Sequence, residues 1–139
     1  MCCGSDRAPR RRVTAPSYPA YGQDIRDRAF EFACQIVGYC DDLMKREGVG
    51  RILAPQMLRC GTSIGANLEE ARGGESRRDF ISKCSIALKE ARESLFRLRV
   101  AERCQLGPEG RAAALAAEAH ELAAIIAAIV RNARRNLAL

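Results

Sequence analysis

The chain has 139 residues, enough for one domain with a buried core; 47% are hydrophobic, mostly alanine and leucine, and only 5% are aromatic, with no tryptophan. That balance favours closely packed helices over a sheet, and no run of about 18 apolar residues is present to cross a membrane. A formal net charge of +6 admits nucleic acid or acidic proteins as partners through long-range attraction.

Residues 1–23 contain Gly4, Pro9, Pro16, Pro19 and Gly22 without apolar periodicity, and read as a disordered basic arm. Four arginines and one aspartate give this arm +3 of the total charge. Arg10-Arg11-Arg12 is a short cluster able to grip phosphate, or simply part of a solvated tail. There is no apolar segment of a secretory signal and no glycine at position two for myristoylation, so the expectation is a cytoplasmic protein.

Residues 24–139 read as four helices. The first runs from Asp24 to Glu47. Ile25, Ala29, Phe32, Ile36 and Leu43 follow helical spacing, and Phe30, Ala33, Val37, Cys40 and Met44 form an adjacent row. Together they predict a broad apolar face packed against two neighbours. Asp24 is placed to cap the start, and Gly48 and Gly50 permit the reversal.

The second helix is expected to begin near Pro55, whose missing N–H suits a first turn, and to end at Gly73-Gly74. Leu53, Met57, Ile64, Leu68 and Ala71 share one face. Gln56, Arg59, Ser63, Asn67 and Glu70 share the opposite one. Gly61 and Gly65 stand one turn apart beside the apolar face. Each costs about 1 kcal/mol against alanine in a helix, so another helix is expected to approach closely there.

Ser76 caps the third helix, with Asp79 three residues on. This helix spans Arg77 to Gln105, the longest of the four, with Phe80, Cys84, Ala87, Leu88, Ala91, Leu95 and Leu98 as its core stripe. Gly107-Pro108 breaks the chain. The fourth helix runs from Glu109 to Asn136 with Leu115, Ala119, Leu122, Ile125, Ile126, Ile129, Val130 and Ala133 facing inward. Arg131, Arg134 and Arg135 complement its C-terminal dipole. Short connections force antiparallel neighbours, so the fold class is all-α, an up-down-up-down four-helix bundle.

Three segments carry a resemblance: Ser63-Ile-Gly-Ala-Asn67-Leu-Glu-Glu70, Gly74-Glu-Ser-Arg-Arg-Asp-Phe-Ile81 and Ile86-Ala-Leu-Lys-Glu-Ala-Arg-Glu93. They resemble the bacterial four-helix-bundle proteins also called 23S rRNA intervening-sequence proteins. The similarity covers roughly residues 24–137 and is most specific from Gln56 to Leu98. It implies a four-helix bundle assembled as a homopentameric ring, without enzymatic activity, and an association with RNA through where some members are encoded. Distant relatives are accessory proteins of diversity-generating retroelements, which bind a reverse transcriptase and nucleic acid. Family members often carry an aromatic pair where this chain has Phe96-Arg97, so an aromatic contact at position 97 is not carried over.

The residues themselves offer little chemistry. Seven cysteines, at positions 2, 3, 34, 40, 60, 84 and 104, form no C-x-x-C pair, and the single histidine, His120, is remote from them. They read as small hydrophobes in a reducing compartment, with no metal site and no cofactor expected. Gly61-Thr-Ser-Ile-Gly65 lacks the lysine of a phosphate loop. Glu69, Glu70, Glu90 and Glu93 supply carboxylates, but no nucleophile–base pair accompanies them, so no catalytic residue is assigned and the protein is expected not to be an enzyme.

Three surface constellations remain. Gln56, Arg59, Ser63, Asn67 and Glu70 mix neutral and charged groups mid-helix, and predict a structural polar network with Ser82, Ser85, Glu90 or Glu93, or with a second subunit. Lys89, Arg92, Phe96, Arg99 and Arg103 recur at spacings of three and four on the third helix. That stripe fits a phosphate backbone with Phe96 stacking a base; the plainer reading is aliphatic stems covering the core edge. Ile86, Val100 and Cys104 make an apolar strip off the core, as an oligomer interface would need. The expected function is thus a non-enzymatic homo-oligomeric scaffold, a pentamer by resemblance, that binds RNA or DNA through basic surface residues. The alternative is an oligomeric adaptor for a protein such as a reverse transcriptase.

Overall fold

Two side chains start helices where the sequence places them. In the computed structural model, which describes residues 24–137, Asp24 accepts a hydrogen bond from the Arg26 backbone N–H at 3.2 Å. Ser76 Oγ accepts from the Asp79 N–H at 3.1 Å. Each satisfies a backbone donor that the first turn leaves without an intrahelical partner. The expected arm, residues 1–23, lies outside the described residues.

The four helices are α1 (Ile25–Lys45), α2 (Gly50–Arg72), α3 (Arg77–Arg103) and α4 (Arg111–Leu137). Each packs beside its two neighbours around the bundle, and the backbones of the diagonal pairs α1–α3 and α2–α4 stay apart among the described residues. This is the antiparallel up-down-up-down four-helix bundle. Two expected boundaries move. α2 begins at Gly50, not Pro55, because Gly48 turns the chain with φ +117° and the helix starts at once. Pro55 then lies inside the helix, where it and Arg51 are both exposed, so solvent takes the Arg51 carbonyl that a Pro55 N–H would have met. α3 ends two residues earlier than expected, as Gln105 enters the left-handed region at φ +54° and the Leu106 N–H reaches back to the Ala101 carbonyl at 2.9 Å. α3 and α4 therefore share the same length, 27 residues.

The core joins Phe32, Ile36, Leu43, Met57, Ile64, Leu98, Leu122 and Ile126 through fully buried alanines at 29, 54, 87, 91, 101 and 119. Alanine lets the helix axes approach. Between α1 and α2 the approach is close enough that Gly61 leaves room for the Ile36 side chain and Gly65 faces the Ala29 backbone.

Tyr39 is fully buried in the same helical stripe as Phe32, Ile36 and Leu43; its hydroxyl donates to the Leu106 carbonyl at 2.7 Å and ties α1 to the α3–α4 connection. Gly107, at φ +77°, lies against the Tyr39 ring. Burial raises the Tyr39 hydroxyl above its ordinary pKa, with the neighbouring Cys40 adding to it.

The adjacent row on α1 divides. Cys40 is buried, but Phe30, Val37 and Met44 are 60%, 50% and 48% exposed. α1 has only two neighbours in the bundle, and the row turns past α2 into solvent. α4 also differs from expectation: by length and composition it is apolar enough to cross a membrane. Its Leu115, Leu122 and Ile126 are buried against the other helices, as in the core helix of a bundle.

Candidate nucleic-acid interface

Three heptad tracks cover the outer side of α3, and their neighbours identify which way each one looks. Glu93 receives Arg59 of α2 at 2.7 Å, so Ile86, Glu93 and Val100 border α2. Ser85 receives Arg134 of α4 at 3.4 Å, so Ser85, Arg92 and Arg99 border α4. Lys89, Phe96 and Arg103 form the crest between them. The five residues of the expected basic stripe are all exposed, Phe96 by 66%, and occupy the crest and the α4 side. Lys89, Arg92, Arg99 and Arg103 enter none of the ion pairs among the described residues.

The glutamates of the bundle are engaged elsewhere. Arg28 of α1 binds Glu118 and Glu121 of α4 at 2.9 and 2.7 Å. Both carboxylates hold the Arg28 guanidinium proton more firmly, Glu118 foremost. The acids of α4 are thereby turned toward α1, away from Arg92 and Arg99. On the side of α4 that meets α3, Arg134 lies over Ser85, and Arg131 stands exposed one turn earlier, toward Arg92. The α3–α4 side therefore gathers Arg92, Arg99, Arg131 and Arg134. Arg131 and Arg134 carry a signal in the sequence, a basic helix end, but their place beside the stripe depends on the antiparallel register.

The α2–α3 seam is polar and closed. Arg59 spans Glu90 at 3.3 Å and Glu93 at 2.7 Å, and Arg97 joins Glu93 at 2.8 Å and also bonds Gln56. Lys83 reaches Glu70 at 2.6 Å. The hydrogen bonds from Arg59 and then Arg97 hold the Glu93 carboxyl below its usual pKa. Gln56, Arg59 and Glu70 thus meet α3 while Ser63 and Asn67 do not. Ser63 Oγ donates to the Arg59 carbonyl at 2.6 Å and Asn67 Nδ2 to the Ser63 carbonyl at 2.8 Å, both within α2. Short polar side chains satisfy themselves on the preceding turn. Ser82 and Ser85 are not partners of this row; its α3 partners are Lys83, Glu90, Glu93 and Arg97. Ser94 is fully buried in the stripe of Ala87, Ala91 and Leu98 and its hydroxyl donates to the Glu90 carbonyl at 2.8 Å, which satisfies a polar residue at a core position.

The expected interface strip is split by exposure. Ile86 is 38% exposed, Cys104 is exposed and Val100 is half-buried. Cys40, Cys60 and Cys84 are buried, and burial pushes the Cys40 thiol up to about 11. Two adjoining clefts open at the end of the bundle where α1 begins, of 280 and 560 Å³, sharing Ala71, Arg72, Phe80 and Ile129. Among the described residues, Asp24 is the one carboxylate lining either cleft.

Comparisons with known proteins bear on this arrangement. The family model described as 23S rRNA-intervening sequence protein matches residues 22–128. A crystal structure from Bacteroides thetaiotaomicron, described as a protein with unknown function from the S23 ribosomal protein family, is 35% identical, with a TM-score of 0.70. That match covers 77% of this chain and 98% of the other. No curated protein matches the chain. The four antiparallel helices and the match over most of the chain agree, and the protein belongs to the 23S rRNA-intervening sequence protein family.

Proposed function

We propose that the protein is a non-enzymatic, homo-oligomeric helical scaffold that binds RNA or another nucleic acid through the basic side of α3 and α4. One observation carries the reading: Arg92 and Arg99 are exposed on the track that borders α4, without an ion-pair partner among the described residues. Arg28, Arg59 and Arg97, by contrast, are each held by carboxylates. An arginine engaged by glutamate is neutralised, whereas an unpaired one adds its full charge to the surface potential. The family's description, which names an rRNA intervening sequence, supports the same partner class.

Arg92 and Arg99 lie two turns apart and continue into Arg131 and Arg134 across the helix boundary. Guanidinium groups in that arrangement contact successive phosphates and read the backbone in preference to the base sequence. Binding is then broad in sequence and weakens steeply with salt. The test is fluorescence anisotropy of labelled single-stranded RNA with the parent and with Arg92→Glu/Arg99→Glu. The expected result is binding at low salt that the double variant loses while its melting temperature is kept. Equal binding by a folded double variant would remove this surface. Absence of RNA and DNA binding by the parent at low salt would leave the protein-adaptor reading in its place.

A further inference from the structure

α1 and α3 are a diagonal pair, so their outer sides look away from one another. On α1 the exposed track is Phe30, Val37 and Met44, and beside it lie Asp27, Glu31, Cys34 and Asp41, all exposed, with Lys45 bonded to Asp41 at 2.7 Å, so that Asp27 and Glu31 carry the acidic charge. On α3 the exposed apolar residues are Phe96 and Ile86, with Val100 half-buried, and Lys89 and Arg103 share the track of Phe96. One face is apolar with an acidic border. The other is apolar with a basic border. Neither serves the core, and an exposed apolar patch rimmed by charge marks an interaction surface.

We infer that these two faces dock on each other between copies, α1 of one subunit against α3 of the next. The inference rests on the oligomeric reading above and names its contact. Phe96 packs among Phe30, Val37 and Met44, while Lys89 and Arg103 meet Asp27 and Glu31. Pairing α1 with α1 would set acid against acid, and pairing α3 with α3 would set cation against cation, so charge selects the unlike pair. Two different patches make the contact heterologous: each copy holds its predecessor with one face and its successor with the other.

Both patches also lean toward α2. The Phe30 track is next to that of Cys40, whose Sγ meets the Ala54 carbonyl of α2 at 3.4 Å. Ile86 and Val100 lie on the track of Glu93, which binds Arg59 of α2 at 2.7 Å. Ile86 and Val100 thus carry the α3 patch from the crest of Phe96 toward α2, and the same contact repeated between identical copies turns each in the same sense, as a ring requires. Phe96 is then covered by protein and stacks no base. Arg92 and Arg99, one track nearer α4, stay in solvent for the nucleic acid.

A mixing experiment tests this. Val37→Lys/Met44→Lys disables the α1 face and Lys89→Glu/Phe96→Glu the α3 face; all four positions are exposed, and circular dichroism checks that helicity is kept. By sedimentation velocity, the parent runs as an oligomer and each variant alone as a monomer. An equimolar mixture forms a dimer with one copy of each and nothing larger, because each dimer retains only two disabled faces. A mixture that stays monomeric, or a variant that assembles like the parent, overturns the α1–α3 contact while the oligomeric reading survives. A parent that is itself monomeric overturns both. Should either double variant lose helicity, Val37→Lys and Phe96→Glu are mixed in the same way.

Discussion

Gly61 and Ile36 are in such close contact that a methyl group added to the glycine would stand 2.9 Å from two carbons of the isoleucine. Those carbons belong to the branched base of the side chain, which has no room to swing away. Gly61→Ala is therefore expected to destabilise the bundle by about 1–3 kcal/mol of overpacking, outweighing the ~1 kcal/mol gained in helix propensity. Gly65 is the control. A methyl there would meet Ala29 at an ordinary 3.6 Å, so Gly65→Ala raises stability by up to about 1 kcal/mol. Urea denaturation of the two variants should move the midpoint in opposite directions.

Tyr39 is the second anchor. Tyr39→Phe removes the hydrogen bond to the Leu106 carbonyl and should cost about 1 kcal/mol in chemical denaturation, with the fold unchanged. Gly107→Ala should cost more. It forces alanine to φ +77° and sets its methyl 2.8 Å from the Tyr39 ring.

Glu93 makes the α2–α3 seam sensitive to acid. Arg59, then Arg97, lower its pKa in the folded protein. A carboxyl depressed on folding stabilises the native state above its unfolded pKa, and that contribution is lost as pH falls through the folded value. Melting temperature should thus drop as pH falls below the ordinary glutamate value of 4.5. The drop should be smaller in Glu93→Gln. Arg59 is largely solvated, which makes the difference modest.

The cysteines should separate by burial. Alkylation at pH 8, followed by peptide mass spectrometry, is expected to label Cys104 quickly, and Cys34 quickly in the Val37→Lys/Met44→Lys variant, whose α1 face is uncovered. Cys40, Cys60 and Cys84 are buried with thiols raised above their ordinary pKa, so they should react only after denaturation. Rapid labelling of Cys40 in the native protein would contradict the α1–α2 packing.

Helices, caps and the close approach at Gly61 were legible because periodicity, capping residues and glycine cost are local properties. The hydrogen bond of Tyr39 was not, although spacing puts the residue in the stripe of Phe32, Ile36 and Leu43, since its acceptor is on a loop that arrives from far along the chain. Phe30, Val37 and Met44 look like core by spacing alone. Only the placement of α2 and α4 around α1 shows that this row has nothing within the subunit to cover it. Ser63 and Asn67 share the face of Arg59, yet they are too short to cross to α3 and turn back on α2 instead. At the candidate interface, the stripe on α3 was visible as spacing. That Arg92 and Arg99 are free while Arg59 and Arg97 are held follows from which helix each track borders, which sequence spacing does not contain.

Whether Arg92 and Arg99 grip phosphate is decided by the salt dependence of RNA affinity. Removing one cation that neutralises a phosphate lowers the slope of log affinity against log salt by about 0.7–1. Arg92→Ala/Arg99→Ala should therefore reduce both the affinity and the magnitude of that slope, by about 1.5–2 units, with the melting temperature unchanged. A double variant that reproduces the parent's slope would contradict phosphate binding by these two arginines.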